Sequence, residues 1–305
     1  MAPMDAKYVI ITPAKDEQET IEKTIESIIH QTVRPSCWVI VDDGSTDRTA
    51  EIVQSYLPSH GYMRLLKRRS GRREFGSKVT AFNAGYQLLE GSEHSFIGNL
   101  DADISLEPNY YERILAEFQR DPRLGIAGGS VHTKIGNRFI TADRTTDSVA
   151  GAVQLFRKEC FDGIGGYIPL TRGGTDGAAE IMARMNGWSV RKFVDISVYE
   201  HRRTGSAQHG VLGARYAEGI CFHSLGYSSL FYLLRCIYRV KDRPFVLGCV
   251  WALLGFIAAG LKRDPICVPP QVVSYLRSEQ MGKLRRMFFG KARTTEGGIE
   301  SHPAR

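Results

Sequence analysis

The segment WVIVDDGS at residues 38–45 decides the fold class of this chain. It is a run of apolar, mostly β-branched residues that ends in two acids and a Gly-Ser turn. That pattern is typical of a buried strand leaving a sheet. An apolar run followed by an acidic loop occurs also at residues 8–17 and at residues 96–103. Apolar residues at helical spacing fill the intervals, so residues 7–130 predict repeated β-α-β units.

Repeated β-α-β units predict an α/β domain, Rossmann-like in layout, with a mainly parallel sheet covered by helices on both faces. Ligands of such sheets bind beyond the carboxyl ends of the strands. The three acidic loops, Thr12–Glu17, Asp42–Asp47 and Asn99–Asp103, are therefore expected to meet at one rim. Acids gathered at one rim repel each other unless a cation or hydrogen-bond donors compensate, and this favours a binding site over three ordinary turns.

Asp101 and Asp103 carry the most specific signal in these loops. Residues i and i+2 of an extended segment point the same way, so both carboxylates can hold one hard divalent ion. Mg²⁺ or Mn²⁺ usually keeps one or two protein carboxylates and takes phosphate oxygens as further ligands. Two acids at a strand end also occur by chance, but together with the other two loops they favour a metal and diphosphate site.

Composition agrees with a globular protein of this class. The 305 residues are 43% hydrophobic and 24% charged, and the length suits one large α/β domain with an appendage. The net charge of +7 suits an anionic partner such as a diphosphate or an anionic lipid, and we expect no nucleic-acid partner. Six cysteines without metal-ligand spacing, and no apolar leader at the start, favour reduced thiols in the cytoplasm.

The chain changes character after residue 215. Residues 244–261 contain no charged residue and are closed by Lys262 and Arg263. This run is slightly shorter than the roughly 20 residues of a transmembrane helix. Residues 216–290 are therefore expected to form a helical, membrane-associated module after an α/β domain of residues 1–215, with residues 291–305 as a flexible tail. A buried helix pair or a homodimer interface is the alternative for the apolar run.

Taken together, these motifs resemble those of family 2 glycosyltransferases with the GT-A fold, of the bacterial cell-surface polysaccharide type. The matching segments are residues 11–17, 39–47, 78–85, 100–103, 156–157, 165–167 and 176–188. The resemblance implies a metal-dependent enzyme that uses Mn²⁺ or Mg²⁺ and transfers a hexose with inversion from a nucleotide-sugar donor, UDP being favoured. It also implies a saccharide or lipid-linked hydroxyl acceptor, polysaccharide or glycolipid synthesis, and a place at the cytoplasmic face of the inner membrane.

The resemblance implies roles for individual residues. Those expected to bind the donor nucleotide are Pro13, Ala14, Asp16, Glu17, Asp43, Lys78, Asp101, Ala102, Arg202 and Arg203. Those expected to bind the metal are Asp101, Asp103 and His201. The simpler interpretation of Lys78 is a solvated lysine at the start of a helix. The simpler interpretation of His201 is a structural histidine.

Asp176 falls where the family places its catalytic base, twelve residues before Trp188. The family usually has Glu-Asp at this point, whereas this chain has Thr175 before Asp176, and Ala178-Ala179 stand where an acid and a leucine are common. The acceptor pocket can therefore differ from the family's. Glu180, one helical turn later, is the alternative base, and a helix N-cap is the structural interpretation of Asp176. The expected acceptor residues are Gly166, Tyr167 and Trp188.

Three other functions remain open at the level of sequence. A polyprenyl-phosphate acceptor is already an anion and would need no strong base. A sugar-phosphate nucleotidyltransferase would carry a Gly-rich basic loop after its first strand, and this chain has an acidic one there. A non-catalytic scaffold would not need the acids at positions 101, 103 and 176. The absence of a Gln-x-x-Arg-Trp motif argues against a processive synthase.

Overall fold

The computed structural model describes residues 7–69, 75–89, 91–141, 145–202, 210–241 and 245–289. The strands in these ranges are β1 (Tyr8–Ala14), β2 (Cys37–Asp42), β3 (Met63–Lys67), β4 (Phe96–Asn99), β5 (Ile104–Leu106), β6 (Leu124–Ile135), β7 (Arg138–Thr141), β8 (Leu155–Arg157) and β9 (Ser189–Glu200). The α-helices are α1 (Ile21–Ile29), α2 (Thr49–Tyr56), α3 (Phe75–Gln87), α4 (Tyr110–Arg120), α5 (Lys158–Gly163), α6 (Thr175–Met185), α7 (Val211–Ser224), α8 (Ser229–Tyr238), α9 (Phe245–Leu261) and α10 (Pro270–Phe289).

One sheet runs through the α/β part in the order β3-β2-β1-β4-β8-β6-β9-β5, with β7 paired to β6. The α/β class is confirmed, but the expectation of a mainly parallel sheet is wrong, because the sheet is mixed. Strands β3, β2, β1 and β4 are parallel, whereas β8 lies antiparallel between β4 and β6. Parallel neighbours need a long crossover, usually a helix. The described residues between β6 and β8 contain the strand β7 and no such helix, which suits antiparallel pairing.

Both faces of the central strands are buried, which explains their nearly continuous apolar sequences. Ile11 of β1 packs with Phe82 of α3 in one core cluster. Ile10, the next residue of β1, packs with Ile25 of α1 in a second cluster on the other face. Helices α3 and α1 therefore cover opposite faces of the same strands, and their ends frame the rim at which the acidic loops leave the sheet.

The C-terminal helices form a module that is joined to the α/β core. Helix α7 crosses α9 so closely that a Cβ on Gly219 would lie 2.0 Å from the carbonyl oxygen of Ala252. Helix α10 packs its Leu276 into the same buried cluster as Ala179 of α6. The helical character expected for residues 216–290 is thus present, but the expected boundary at 215/216 falls inside α7.

Helix α9 accounts for the uncharged run near the C-terminus and has 17 residues. Across the ranges that the structure describes, no helix combines the length and hydropathy needed to cross a membrane. The expected flexible tail at residues 291–305 lies outside the described residues.

Candidate active site

The carboxyl ends of β1, β2 and β4 meet at one rim, because these strands are parallel neighbours. The rim presents the loops after Ala14, Asp42 and Asn99, as the sequence predicts. Pro13 is half-buried at the end of β1, while Ala14 and Ala102 are buried. The Ala102 carbonyl accepts a hydrogen bond from the Thr24 hydroxyl of α1 at 2.8 Å.

Asp16 connects the first two loops. Its backbone has a positive φ of 53°, which an aspartate tolerates better than most residues. Its carboxylate Oδ1 accepts from the backbone N–H of Thr46 at 2.8 Å, and its own N–H donates to the Ser45 hydroxyl at 3.0 Å. Asp16 therefore fixes the relative position of the loops after β1 and β2.

Asp43 is buried at the end of β2 and pairs with Arg68. The Arg68 Nη1 atom lies 3.0 Å from Asp43 Oδ1, and the Arg68 N–H donates to the Asp42 carbonyl at 2.9 Å. Sequence analysis did not single out Arg68, because its place beside Asp43 depends on β3 lying next to β2. At this point of the rim, Asp43 is therefore a carboxylate already paired with a guanidinium.

Lys78 of α3 points into a cluster of carboxylates. Its Nζ atom lies 2.5 Å from Oδ1 of Asp101. Desolvation opposes the charge on this amine, but the nearby carboxylates of Asp101, Asp176 and Asp103 outweigh it and raise the pKa of Lys78. The amine is consequently a fixed positive charge at the point where a diphosphate is expected.

Asp103 is buried beside Asp101, Glu17 and Arg202. Burial raises its pKa to about 7, and repulsion from Asp101 and Glu17 acts in the same direction. Arg202 partly offsets this effect, with its Nε atom 3.5 Å from Asp103 Oδ2 and its Nη2 atom donating to Glu17 Oε1. Arg202 is thus at the rim, as expected, while Arg203 lies outside the described residues.

Asp176 stands in the first turn of α6 and faces the end of β4. Its Oδ2 atom accepts from the Gly151 N–H at 3.2 Å, and the N-cap position of α6 is held by Gly174, not by Asp176. A Cβ on Gly151 would lie 2.9 Å from Asp176, so only glycine allows this approach. The neighbouring Ala152 carbonyl accepts from the Asp101 N–H at 2.9 Å, and this links Asp176 to the metal motif.

Glu180 lies one turn after Asp176 but is buried, with 4% of its surface exposed. Its Oε1 atom accepts from the Val149 N–H at 2.6 Å and from the Ser148 hydroxyl at 3.3 Å. Burial raises its pKa to about 8. Glu180 therefore stabilises the loop of residues 148–154. Its carboxyl does not lie at the rim, where an alternative base would have to be.

His201 does not join the two carboxylates in the way the resemblance implies. Its Nε2 atom lies 2.8 Å from the Ser105 hydroxyl, and its ring packs edge-on against Phe139. Within the described part of the chain, no group of three or more His, Cys, Asp or Glu side chains is arranged to hold a metal ion. The pair Asp101 and Asp103 still suits a hard ion that takes its other ligands from a diphosphate, and the charge repulsion at Asp103 is one that a cation would relieve.

Of the three residues expected to bind the acceptor, only Tyr167 lies near this rim: burial raises the pKa of its hydroxyl, and the nearby carboxylates of Asp176 and Asp101 act in the same direction. The Tyr167 ring is buried, and its hydroxyl donates to Gln154 Oε1 at 2.6 Å. Gly166 turns the chain with φ of 74° next to Phe161. Trp188 precedes β9 where that strand starts beside Leu124, the amino end of β6, and this is the sheet edge opposite the acids. Spacing from Asp176 therefore misassigned Trp188, because the helix α6 separates the two residues.

An α/β domain with an acidic rim beyond its parallel strands is the arrangement found in glycosyltransferases of the GT-A fold. The chain belongs to glycosyl transferase family 2, whose family model matches residues 9–178. The resemblance stated from the sequence is thereby confirmed.

Known proteins of this class are similar to the chain in part. It is 35% identical to the chondroitin synthase of Escherichia coli over 112 residues, which are 37% of this chain and 15% of that protein. Its fold is similar to that of mannosyltransferase PcManGT from Pyrobaculum calidifontis in complex with GDP-Man and Mn²⁺, with a TM-score of 0.55, 16% identity, and coverage of 92% and 81% of the two chains. It is also similar to S. aureus TarS 1–349 in complex with UDP-GlcNAc, with a TM-score of 0.52, 15% identity, and coverage of 92% and 81%.

Proposed function

We propose that this protein is an inverting hexosyltransferase that moves a sugar from a nucleoside diphosphate donor to a hydroxyl of a saccharide or lipid-linked acceptor. The observation that carries the proposal is the convergence of Lys78, Asp101, Asp103 and Asp176 at one rim. UDP is the favoured nucleotide and polysaccharide or glycolipid synthesis the favoured process. The likeness to a chondroitin synthase and to a protein solved with UDP-GlcNAc supports both choices.

The rim offers cations for the donor on two sides of its acidic pair. Arg68 stands beside Asp43 on the nucleotide side, while Lys78 and Arg202 flank Asp101 and Asp103. These cations would hold the diphosphate and stabilise the charge that develops on it as it leaves. A Mn²⁺ or Mg²⁺ ion held by Asp101 and Asp103 would supply further positive charge to the leaving group.

In this proposed reaction Asp176 acts as the general base. It would remove the proton from the acceptor hydroxyl while the hydroxyl oxygen attacks the anomeric carbon from the side opposite the diphosphate. The bond from that carbon to the phosphate oxygen then breaks, and the configuration inverts. The Gly151 N–H holds the Asp176 carboxylate in place and does not remove its capacity to accept a proton, since a carboxylate has further lone pairs.

The decisive variant is Asp176→Asn. The amide keeps the shape of the carboxylate but cannot take a proton, so we expect kcat to fall by about a hundredfold or more, with donor KM and melting temperature nearly unchanged. The measurement is release of nucleoside diphosphate from UDP- and GDP-sugars with a panel of saccharide acceptors. Asp195→Asn, which changes an exposed acid of β9, is the matched control.

Other outcomes of this experiment would select another function. Full turnover of the Asp176→Asn variant with a polyprenyl phosphate would favour that acceptor, because a phosphate needs no base. Nucleotide binding without any release of nucleoside diphosphate by the native protein would favour a scaffold. Family membership already argues against a nucleotidyltransferase, which would release pyrophosphate instead.

We also propose that the protein works at a membrane surface, at the cytoplasmic face of the inner membrane. Helix α9 exposes the apolar side chains of Val246, Leu247, Leu254 and Ile257, and exposed apolar side chains gathered on one helix can mark a membrane or protein interaction site. Co-sedimentation with vesicles that contain anionic phospholipid tests this location. A stable homodimer in detergent-free buffer that fails to bind vesicles would instead identify the α9 surface as a dimer interface.

A further inference from the structure

A cavity of about 460 Å³ lies between the C-terminal helices, away from the acidic rim. This volume falls within the range of about 300–1,000 Å³ that is usual for sites of small molecules. Its walls are mainly apolar and come mostly from α8, α9 and the segment that follows α9, with one residue each from α7 and α10. The apolar side chains that line it are Leu233, Leu253, Phe256, Ile257, Leu261 and Ile266.

The cavity opens on the exposed apolar surface of the module. Leu233, Ile257, Leu261 and Ile266 line it and are themselves exposed. The exposed face of α9 continues from Ile257 to Leu254. A hydrocarbon chain could thus pass from the apolar surface into the cavity without crossing a polar barrier.

Positively charged residues lie on or next to the lining of the cavity. Arg277 of α10 lines it, and its Nε atom donates to the Gly226 carbonyl at 3.0 Å. Among the residues that the structure describes, no carboxylate forms an ion pair with Arg277. Lys262 and Arg263 directly follow Leu261 at the opening. His223 also lines the cavity, and its buried Nδ1 atom has no hydrogen-bond partner within the described ranges.

We infer that this cavity binds one acyl chain of an anionic membrane phospholipid, whose phosphate pairs with Arg277. The apolar walls match an acyl chain, and the Arg277 guanidinium, which has no carboxylate partner among the described residues, matches the phosphate. The inference rests on the membrane location proposed above but is independent of the proposed sugar transfer. The bound lipid would fix the depth and orientation of the module at the bilayer surface.

The proposed lipid does not occupy the donor site. Cys221 of α7 packs towards the start of α6, where a Cβ on Gly174 would lie 2.7 Å from its sulfur atom. His223, two residues later on α7, lines the cavity instead. Since residues i and i+2 of a helix point to different sides, α7 separates the lipid from Asp176.

Native mass spectrometry of the full chain in a neutral detergent tests the inference, with phosphatidylglycerol and phosphatidylcholine as probes. We expect one phosphatidylglycerol to be retained per chain. Ile257→Trp fills the cavity and should weaken retention at least about tenfold, whereas Leu254→Trp should leave it unchanged. Both residues are exposed on α9, at 53% and 46%, but only Ile257 lines the cavity.

The headgroup is tested with Arg277→Gln, which should abolish the preference for phosphatidylglycerol over phosphatidylcholine. Arg285→Gln, at an exposed arginine of the same helix, should preserve that preference. Equal loss in the Ile257→Trp and Leu254→Trp variants would overturn the inference, and so would tighter retention of a polyprenyl phosphate than of phosphatidylglycerol. If the Ile257→Trp variant retains phosphatidylglycerol normally, the cavity is not the lipid site. If vesicle binding also persists in that variant, the proposed membrane location is unaffected.

Discussion

Asp176 and Glu180 lie one turn apart on α6, yet their surroundings give them different chemistry. Asp176 faces the rim and accepts from one backbone N–H of the loop at Gly151. Glu180 is buried, accepts from Val149 and Ser148, and has a pKa raised by burial to about 8. The Asp176 carboxyl therefore lies at the rim, and the Glu180 carboxyl positions the loop that contacts Asp176.

The raised pKa of Glu180 gives a test at the level of this one residue. Between the usual carboxyl pKa of about 4.3 and the folded value of about 8, the native protein keeps a proton that the unfolded chain has lost. Stability should therefore decrease as pH rises through this interval, by up to about 1.4 kcal/mol per pH unit. Glu180→Gln carries no titrating proton, so its free energy of unfolding should decrease less between pH 5 and 7.

Urea unfolding at pH 5, 6 and 7 measures this difference. Glu159→Gln, at an exposed glutamate of α5, is the control and should follow the native protein. Parallel pH curves for the native protein and the Glu180→Gln variant would show that Glu180 is ionised in the folded state.

Asp43 tests the nucleotide side of the rim. Because its contact with the donor would be present in both ground and transition states, Asp43→Asn should raise donor KM about tenfold or more while kcat changes much less. Steady-state kinetics with varied donor concentration give both constants. Asp47→Asn, in the same loop but hydrogen-bonded to Thr49 at the start of α2, should leave donor KM unchanged. An unaltered donor KM in the Asp43→Asn variant would show that the ion pair between Asp43 and Arg68 has only a structural role.

The acids of the rim could be predicted from sequence because each follows an apolar strand. Arg68, Gly151 and the positioning role of Glu180 could not, because they depend on contacts between segments far apart in the chain. The misplacement of Trp188 has the same origin, since distance along the sequence does not reveal which sheet edge a residue occupies.

At the level of elements, α3 is positioned by one glycine. A Cβ on Gly85 would lie 2.8 Å from side-chain methyls of both Ile11 and Val41, so α3 lies directly on β1 and β2. The same helix carries Lys78, whose amine reaches Asp101. The close packing of the helix against the sheet thus determines how far Lys78 extends over the rim.

Gly85→Ala should therefore destabilise the protein by about 1–3 kcal/mol, because the added methyl overpacks the core. The matched change Gly76→Ala, at a position of α3 with open space around it, should be neutral or stabilise by up to about 1 kcal/mol. Chemical denaturation compares the two variants. A Gly85→Ala variant as stable as the native protein would mean that α3 can shift away from the sheet without cost.

Hydrophobic periodicity predicted the β-α-β units because long buried strands and amphipathic helices leave a clear pattern. The antiparallel strand β8 was not anticipated, since three residues, Leu155–Arg157, are too short for a distinct pattern. Its antiparallel direction depends on the short connection from β6, which contains no crossover helix among the described residues. The sequence pattern does not reveal this, and the sheet was therefore expected to be mainly parallel.

At the level of the whole molecule, the C-terminal helices are part of the same core as the α/β domain. Leu225, Val268, Val272 and Leu276 are buried in the cluster that contains Ala179 of α6. Ion pairs add to this contact, as between Arg184 and Glu279 at 3.0 Å. The sequence predicted a change of character after residue 215, but it could not show that the C-terminal helices share a core with the α/β domain.

Removal of residues 211–305 should consequently unfold the remaining chain. Burial of an aliphatic side chain contributes about 1.5–3 kcal/mol, so the four lost side chains amount to roughly 6–12 kcal/mol. That is comparable with the usual total stability of about 5–15 kcal/mol. Thermal unfolding followed by circular dichroism should show no cooperative transition. A truncated chain that melts cooperatively and binds UDP would establish residues 1–210 as an independent domain.

The contact between α7 and α9 has a consequence for inheritance. A Cβ on Gly219 would lie 2.0 Å from the Ala252 carbonyl, and a Cβ on Gly255 would lie 2.1 Å from the Tyr216 carbonyl. Every missense change of a glycine codon adds at least a Cβ. The contact between α7 and α9 therefore accommodates no missense change at either codon. Drift at these two codons is confined to silent changes, whereas the open surroundings of Gly163 leave its codon free to vary.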